Sequence, residues 1–163
     1  MVHTMQHAKI LLREVQESDL EPFFLHQLDK KANWMAAFTS KDPTDRAAFN
    51  AHWAKIMQDT SVIIRTIISD SQVAGFILKY ETDGNAEIGY WIGRRFWGKG
   101  IASAALIAFL EELPMRPLHA RAAKDNIASI RVLEKCGFII TGTQRGFANA
   151  RGEEIEEVVM RLE

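Results

Sequence analysis

Two glycines that flank a lysine are the residues in this sequence best suited to binding chemistry. Gly98 and Gly100 follow an apolar stretch at residues 90–92 and precede a second apolar segment that begins at Ile101. Glycine lets backbone N–H groups approach a ligand closely because it has no Cβ. A helix start adds unpaired N–H groups and a partial positive charge. The pattern indicates a cradle for a phosphate or pyrophosphate group, although a Gly-x-Gly by itself also fits a plain tight turn.

Composition limits the classes of protein that the chain can be. Its 163 residues suffice for one domain with a buried core, and 47% hydrophobic with 25% charged residues is typical of a globular protein. A net charge of −1 gives no overall attraction to nucleic acid or to a membrane, so we expect neither as a partner. Cys136 is the single cysteine, which excludes an intrachain disulfide and favours a cytoplasmic location. We expect residues 1–8 to be a disordered tail, because they lack the apolar core of a signal peptide.

Apolar periodicity and turn residues predict the elements that must position the glycine turn. The predicted strands are 9–15, 61–69, 73–81, 87–92, 119–123, 138–143 and 155–162, and the predicted helices are 19–28, 44–57, 101–113 and 126–136. Ser18 and Glu21 have the spacing of a capping box for the first helix. The short polar separators at 70–71 and 83–85 favour antiparallel hairpins. We therefore expect one α/β (α+β) domain over residues 9–163, with a mixed, mostly antiparallel sheet of about seven strands and about four helices.

A second motif follows the glycine turn and gives it a specific meaning. Taken together, the motifs read Ile-Gly-Tyr-Trp at 88–91, Trp-Gly-Lys-Gly at 97–100, Asn126 with Ser129, and Glu-Lys-Cys-Gly-Phe at 134–138. Their order and spacing resemble the GNAT superfamily of acetyl-coenzyme A-dependent N-acetyltransferases, and within it the ribosomal-protein N-terminal acetyltransferase branch. The resemblance covers nearly the whole chain and implies a sheet that splays between its fourth and fifth strands.

The resemblance implies how acetyl-coenzyme A is held. Main-chain amides of the glycine turn and the helix start would bind the pyrophosphate, and the end of the preceding strand would pair with the pantetheine arm. Asn126 would contact the cofactor from the far side of the splay. The family usually has Gln or Arg at the first position of the loop, where this chain has Trp97. The implied cofactor residues are Tyr90, Trp91, Ile92, Trp97, Gly98, Lys99, Gly100, Ile101, Ala102, Ser103 and Asn126.

Two residues are candidates for proton transfer. An ammonium acceptor with a pKa near 10 must lose a proton before it attacks, and Glu87 is the candidate base because it opens the strand that leads to the glycine turn. The alternative is that Glu87 is only an exposed carboxylate at the start of a strand. Many relatives have a tyrosine acid where this chain has Leu133. Ser129, one helical turn earlier on the same face, is the candidate acid, and contact with cofactor or backbone is the alternative.

The acceptor pocket is the least patterned part of the sequence. In this family the first helices and their connection form one wall, which points to Trp34 and Phe38, while Phe147 and Asn149 before the last strand could form the opposite wall. Phe49 and Trp53 have the same location but helical spacing, which favours the core. The histidines show no metal-ligand spacing, so we expect no metal.

Three functions are candidates for this sequence. The first is acetyl transfer from acetyl-coenzyme A to a primary amine, either a protein N-terminus or a small molecule, by direct attack in a ternary complex. The second is a catalytically silent coenzyme A-binding module, supported by Leu133. The third, a dinucleotide-binding oxidoreductase, predicts a glycine motif after the first strand, where the chain instead has Gln-Glu-Ser-Asp at 16–19. The sequence leaves the identity of the amine open, as well as the choice between monomer and homodimer.

Overall fold

A computed structural model describes residues 9–163, so the tail predicted at residues 1–8 lies outside the described residues. The described part contains seven strands and five α-helices, with single 3-10 turns at Glu17–Asp19 and Arg94–Phe96. In chain order the elements are β1 (Ile10–Arg13), α1 (Leu20–Gln27), α2 (Lys30–Ala36), α3 (Arg46–Gln58), β2 (Ile63–Ser69), β3 (Gln72–Thr82), β4 (Asn85–Ile92), α4 (Ile101–Glu112), β5 (Leu118–Ala123), α5 (Ile127–Lys135), β6 (Ile139–Ala148) and β7 (Glu153–Leu162).

All seven strands form one sheet in the order β1-β2-β3-β4-β5-β7-β6. Every neighbouring pair is antiparallel except β4 and β5, which are parallel and share a single register pair, Glu87 with His119. Beyond that pair the two strands diverge, and neither has a strand partner along the edge that faces the other. The mixed sheet and its splay between the fourth and fifth strands are therefore confirmed.

Two tight hairpin turns fix the register of the strands that lead to the splay. Asp70 and Ser71 join β2 to β3 with φ of 49° and 67°, and Asp83 and Gly84 join β3 to β4 with φ of 50° and 78°. Two consecutive residues with positive φ match the right-handed twist of antiparallel strands. The hairpins predicted at these separators are confirmed.

Hydrophobic side chains pack on both faces of the sheet. On one face, α4 and α5 contribute Leu106, Phe109 and Leu133 to the larger core. On the other face, Phe49 and Trp53 of α3 pack with Phe23 of α1, so the prediction that they belong to the core is confirmed. The ring centroids of Phe23 and Trp53 lie 5.0 Å apart. Among the described helices, none is long and apolar enough to cross a membrane.

Three local predictions were wrong. The segment at 30–36, taken as a connection, is the helix α2, which begins because the Asp29 carboxylate accepts a hydrogen bond from the Ala32 amide at 2.8 Å. Ser18 and Glu21 do not form the predicted capping box. The buried Asp19 carboxylate takes that role, since it accepts from the Gln16 amide at 2.8 Å.

The third error concerns the last hairpin. Strand β6 continues to Ala148, so Phe147 lies within a strand and not in a connection. Pairing with the long β7 extends β6, because each residue from Gly142 to Ala148 has a register partner on β7. Asn149 lies just beyond the strand end.

Candidate functional site

A cavity of about 660 Å³ lies where β4 and β5 diverge. Its walls come from the C-terminal half of β4, the glycine turn, the start of α4, the strand β5, the start of α5 and one side of α2. The cavity exists because the ladder between β4 and β5 stops after a single pair. The structure thus brings the glycine turn and the second motif together on one opening.

Strand β4 presents unpaired backbone groups to this cavity. The Gly93 amide donates to the Ala74 carbonyl on β3 at 2.8 Å, and successive residues of a strand point their backbone groups to opposite sides. Tyr90 and Ile92 therefore direct their backbone amides and carbonyls toward the opening. Trp91 directs its backbone groups toward β3 and lines the cavity with its side chain. The indole Nε1 of Trp97 donates to the Ile92 carbonyl at 2.8 Å. This bond gives the unusual Trp97 a role in fixing the glycine turn against the strand end.

The glycine turn forms an open backbone cradle. Gly98 and Gly100 both have φ of 74°, a conformation that L-residues rarely adopt, and a Cβ on either would meet no atom within 4 Å. The first backbone hydrogen bond of α4 runs from the Ala104 amide to the Gly100 carbonyl at 3.0 Å. Within residues 9–163, the amides of Ile101, Ala102 and Ser103 have no acceptor. These N–H groups suit an anion at the helix start.

The basic side chains around the cradle have other partners. Arg94 pairs with Asp29 at 3.2 Å, and the guanidinium of Arg95 lies 4.6 Å from the centre of the Phe96 ring. The ammonium of Lys99 lies 5.9 Å from the centre of the same ring. The backbone, and not this cluster of charges, therefore forms the cradle.

Asn126 joins two walls of the cavity. As the N-cap of α5, its side-chain oxygen accepts from the Ser129 amide at 3.3 Å, as an N-cap residue does. Its amide nitrogen donates to the Met35 carbonyl at the end of α2 at 3.2 Å. The residue lines the cavity and also positions α5 against α2.

Ser129 and Tyr90 meet at the cavity wall. The two hydroxyl oxygens lie 2.8 Å apart, and both residues line the cavity. Burial raises the pKa of the Tyr90 phenol, an effect that the hydrogen bond with Ser129 partly offsets and that the nearby Cys136 thiol reinforces. Leu133 also lines the cavity and is 1% exposed. The sequence identified Ser129 and Tyr90 separately and did not predict that they touch.

Glu87 sits at the closed end of the splay. Its buried carboxylate accepts from Arg121 at 2.6 and 3.0 Å and from the Tyr80 hydroxyl at 2.7 Å. Burial, followed by the hydrogen bond and charge of Glu87, raises the pKa of Tyr80 above its usual range. Arg121 lines the cavity, whereas Glu87 is absent from the described lining residues. The ion pair thus bridges β4 and β5 where their ladder ends.

Of the four predicted acceptor residues, only Phe38 lines the cavity. The guanidinium of Arg151 lies 4.4 Å from the ring centre of Trp34. Asn149 donates to the Thr39 carbonyl at 2.7 Å, and Phe147 is 59% exposed on β6. These contacts attach the end of α2 to the hairpin of β6 and β7, so most of the predicted wall supports the pocket from outside.

Sequence reasoning missed several lining residues. Met35 and Ala32 line the cavity from α2, which was not predicted as a helix. Arg121 was also missed, although a signal exists, because it is a lone charge between alanines in the apolar strand β5. A charged residue at such a position commonly has a partner across the sheet, and here that partner is Glu87.

The site fits a long ligand that has a charged middle and an amide-rich arm. The cradle supplies amides for a diphosphate, and the open β4 edge supplies the pairing groups for the arm. Acetyl-coenzyme A has this shape, with its pantetheine arm beside its pyrophosphate. The residues of the cavity therefore fit the cofactor that the sequence motifs imply.

Comparisons with known proteins agree with this geometry. The chain matches the family model described as "Acetyltransferase (GNAT) domain" over residues 9–139. The Bacillus subtilis (strain 168) protein named "Putative ribosomal N-acetyltransferase YdaF" is 31% identical over 150 residues, which cover 86% of this chain and 82% of that protein. The Bacillus licheniformis protein named "Uncharacterized N-acetyltransferase p20" is 30% identical over 106 residues, which cover 63% of this chain and 60% of that protein's length.

The fold has a solved counterpart in Mycobacterium smegmatis RimJ, whose structure is described as a complex with CoA-disulfide. The TM-score is 0.80 at 21% identity, and the match covers 94% of this chain and 81% of that one. At this identity the likeness shows the shared fold. The family model spans most of the chain, and the Bacillus subtilis relative matches over more than two thirds of both sequences. The chain therefore belongs to the GNAT family of acetyltransferases.

Proposed function

We propose that this protein transfers an acetyl group from acetyl-coenzyme A to a primary amine by direct attack in a ternary complex. One observation carries the proposal: a single cavity is lined by the glycine cradle and the open β4 edge, and also by Met35 and Phe38 of the α2 side. A donor and an acceptor can therefore lie in the same cavity, and no covalent enzyme intermediate is needed. The lone cysteine also favours a cytoplasmic location, where acetyl donors are made.

Each part of the cavity has a proposed task. The amides from Gly98 to Ser103 bind the diphosphate, and the backbone of Tyr90 and Ile92 holds the pantetheine arm. When bound, acetyl-coenzyme A supplies the activated acyl group and a thiolate that can leave. An outward amide of β4, at Ile92, stabilises the negative charge that develops on the attacked carbonyl oxygen. Phe38 and Met35 contact the acceptor.

We assign the base to Glu87, which takes the proton from the attacking ammonium by way of water. The proposal is supported by its position one residue before the lining residue Ile88 and by its direct contact with the lining residue Arg121. The two carboxylate oxygens have about four acceptor sites, and Arg121 and Tyr80 occupy three of them. A second task, bridging the splayed strands, follows from the same contacts.

The variant Glu87→Gln separates these two tasks. If Glu87 is the base, kcat at neutral pH falls by roughly a hundredfold, the dissociation constant of acetyl-coenzyme A stays constant, and higher pH restores part of the rate because the amine then loses its own proton. Glu153→Gln, at the exposed start of β7, is the matched control. Full activity in Glu87→Gln would exclude it as the base. If kcat falls by the same factor at every pH and the unfolding free energy also falls, Glu87 has only the bridging task.

We further propose that the acceptor is an α-amino group, as at a protein N-terminus. The support is the resemblance of the motifs at 88–91 and 97–100 to the ribosomal-protein acetyltransferase branch and the name of the Bacillus subtilis relative. An acetylation screen should compare ribosomal-protein N-terminal peptides, amino acids, polyamines and aminoglycosides. The proposal predicts the highest kcat/KM for the peptides, and a preference for polyamines or aminoglycosides would contradict it.

The same screen tests the silent coenzyme A-binding module. Binding of acetyl-coenzyme A is measured first, from the fluorescence of Trp91 and Trp97, which line the cavity. Binding without release of free thiol for any amine in the screen would establish the silent module. Thiol release that depends on an added amine establishes transfer.

A further inference from the structure

We propose that Tyr90 positions Ser129 as the proton donor to the departing thiolate, by holding the serine oxygen so that the serine proton points into the cavity. This inference rests on the proposed acetyl transfer and extends it to the leaving-group side. It concerns a pair of hydroxyls on two elements, β4 and α5, that face each other across the cavity wall. Their contact takes the place that a tyrosine at the Leu133 position would otherwise have.

The geometry allows either hydroxyl to donate, so the direction of the hydrogen bond is assigned from the acidity of the two groups. Each hydroxyl has one proton and can also accept. In the described part of the chain, the Tyr90 hydroxyl has Ser129 as its hydrogen-bond partner and no other, and the Tyr90 ring packs against the larger core. A phenol is a stronger acid than an aliphatic alcohol, so the shared bond is donated by Tyr90 and accepted by Ser129.

Among residues 9–163, the Ser129 proton then has no acceptor. The serine side chain makes its one described hydrogen bond to Tyr90, while its backbone amide is held by Asn126. The hydroxyl proton is therefore available to a group in the cavity. Donation from Tyr90 also polarises the serine hydroxyl, because hydrogen bonds in a chain strengthen one another.

The step balances as follows. The amine nitrogen forms a bond to the acetyl carbon, and the carbon–sulfur bond breaks with its electron pair on sulfur. Ser129 donates its proton to this thiolate, and Tyr90 passes its own proton to the serine oxygen. Once the thiol has left, solvent in the cavity returns a proton to Tyr90 through the serine oxygen, and the proton lost by the amine leaves through the base. Tyr90 is thus a positioning residue that acts through Ser129.

The experiment measures the ionisation of the thiol of bound coenzyme A, from the ultraviolet absorbance of the thiolate as pH is raised. All proteins carry Cys136→Ala, because Cys136 is the single cysteine of the chain and the ligand then holds the only thiol. The four proteins compared are this background and the background with Ser129→Ala, Tyr90→Phe, or both. Coenzyme A affinity is measured for each from tryptophan fluorescence.

We expect Ser129→Ala to weaken ionisation of the bound thiol by about tenfold, because a hydrogen bond to an ionised group is lost. When Ser129 is present, Tyr90→Phe should weaken ionisation of the bound thiol by a smaller factor. When Ser129 is replaced by alanine, Tyr90→Phe should have no additional effect. Equal thiol ionisation in all four proteins would overturn the proposal. An effect of Tyr90→Phe that is the same with and without Ser129 would overturn it too, since Tyr90 would then not act through the serine.

The readout also separates this inference from the proposed function. If the thiol pattern holds but no amine is acetylated, the hydroxyl pair stands and acetyl transfer fails. If amines are acetylated and the thiol pattern is absent, the transfer stands and the pair fails. If coenzyme A does not bind to the unsubstituted protein, both are wrong. The conservative variant Ser129→Thr retains the hydroxyl and should restore most of the ionisation.

Discussion

The two sides of the cavity are built in different ways. The donor side consists of the end of β4, the glycine turn and the start of α4, and it presents backbone groups within one short stretch of chain, residues 90–103. The proposed acceptor side consists of α2, which lines the cavity, and of the hairpin of β6 and β7, which contacts the α2 region from outside the cavity. Side chains from distant parts of the sequence hold these elements together. The donor side can therefore recognise a constant ligand by local conformation alone, whereas the acceptor side can change by substitution without disturbing it.

Arg151 shows how the acceptor side depends on distant contacts. It lies in the turn between β6 and β7, and its Nε donates to the Trp34 carbonyl on α2 at 2.7 Å. The same guanidinium binds both oxygens of Asp125 at 2.8 and 3.0 Å. One 5% exposed arginine side chain thus links α2, the β6–β7 turn and the segment before α5. Trp34 and Arg151 are 117 residues apart, so no short stretch of sequence contains this arrangement.

The largest expected effect comes from breaking the donor side at Gly100. Gly100→Ala places a Cβ in the cradle at φ of 74° and should weaken acetyl-coenzyme A binding by roughly a hundredfold, about 3 kcal/mol, because amides that bind the charged diphosphate move away. Calorimetric titration measures the affinity. Gly84→Ala is the matched control, since Gly84 has a similar φ of 78° and equally open surroundings but lies in the β3–β4 turn. Similar loss of affinity in both variants would mean that backbone strain, and not the cradle, is responsible.

Breaking the acceptor side at Arg151 should give the opposite kinetic pattern. Arg151→Gln is expected to raise KM for the amine by about tenfold and to lower the unfolding free energy by about 1–2 kcal/mol, because the buried guanidinium makes charge-assisted hydrogen bonds. The affinity for acetyl-coenzyme A should not change. Arg145→Gln is the control, because Arg145 is exposed and its Glu156 partner is 3.9 Å away. If Arg151→Gln weakened cofactor binding as strongly as amine binding, the two sides would not be independent.

Acid should affect the donor side first, through His26. Its imidazole packs against Gly93 just before the turn, and burial, with a smaller contribution from the charge of Arg95, lowers its pKa. Between about pH 6.5 and the lowered folded-state pKa, the unfolded chain binds a proton that the folded chain does not, so the unfolding free energy falls as pH decreases through this window. His26→Gln should flatten this slope in denaturant titrations at a series of pH values.

The acceptor side should withstand the same acidification. The hydrogen bond from Arg151, which outweighs the opposing effect of burial, lowers the pKa of Asp125 below its usual range, so this carboxylate stays ionised throughout the window in which His26 acts. His52→Gln, at an exposed position on α3, is the control for the loss of any histidine. An unchanged slope in His26→Gln would show that the packing at Gly93 does not resist protonation.

The smallest effects should come from a pair of tryptophan substitutions, one on each side. Trp97→Phe removes the indole donor to the Ile92 carbonyl and should weaken cofactor binding by several-fold, about 1 kcal/mol. Trp34→Phe keeps an aromatic ring beneath Arg151 and should change only the KM of the amine. The factor should be smaller than the one expected for cofactor binding in Trp97→Phe. Steady-state kinetics with each substrate varied in turn measures both. A cofactor effect from Trp34→Phe would contradict the division into two sides.

Sequence reasoning succeeded where the structure depends on local backbone conformation. The glycines at 98 and 100, the cap at Asn126 and the hairpin turns each have residue types that demand a particular φ or a particular hydrogen bond. It failed where function depends on contacts between distant residues. The bridge between Glu87 and Arg121 joins residues 34 apart in the chain, and the bond from Asn149 to Thr39 joins residues 110 apart. No local pattern encodes such pairs, so these contacts could not be predicted. The miss of α2 has a different cause, because its N-cap, the Asp29 carboxylate bonded to the Ala32 amide, is a local signal that sequence reasoning overlooked.

The single register pair between β4 and β5 also has a thermodynamic consequence. Because the arm of acetyl-coenzyme A would fill the gap beyond that pair, the ligand replaces part of the sheet that the chain itself lacks. Ligand that binds only the folded state adds about 2.7 kcal/mol of stability at a concentration one hundred times its dissociation constant. The melting temperature of this protein should therefore rise with acetyl-coenzyme A concentration.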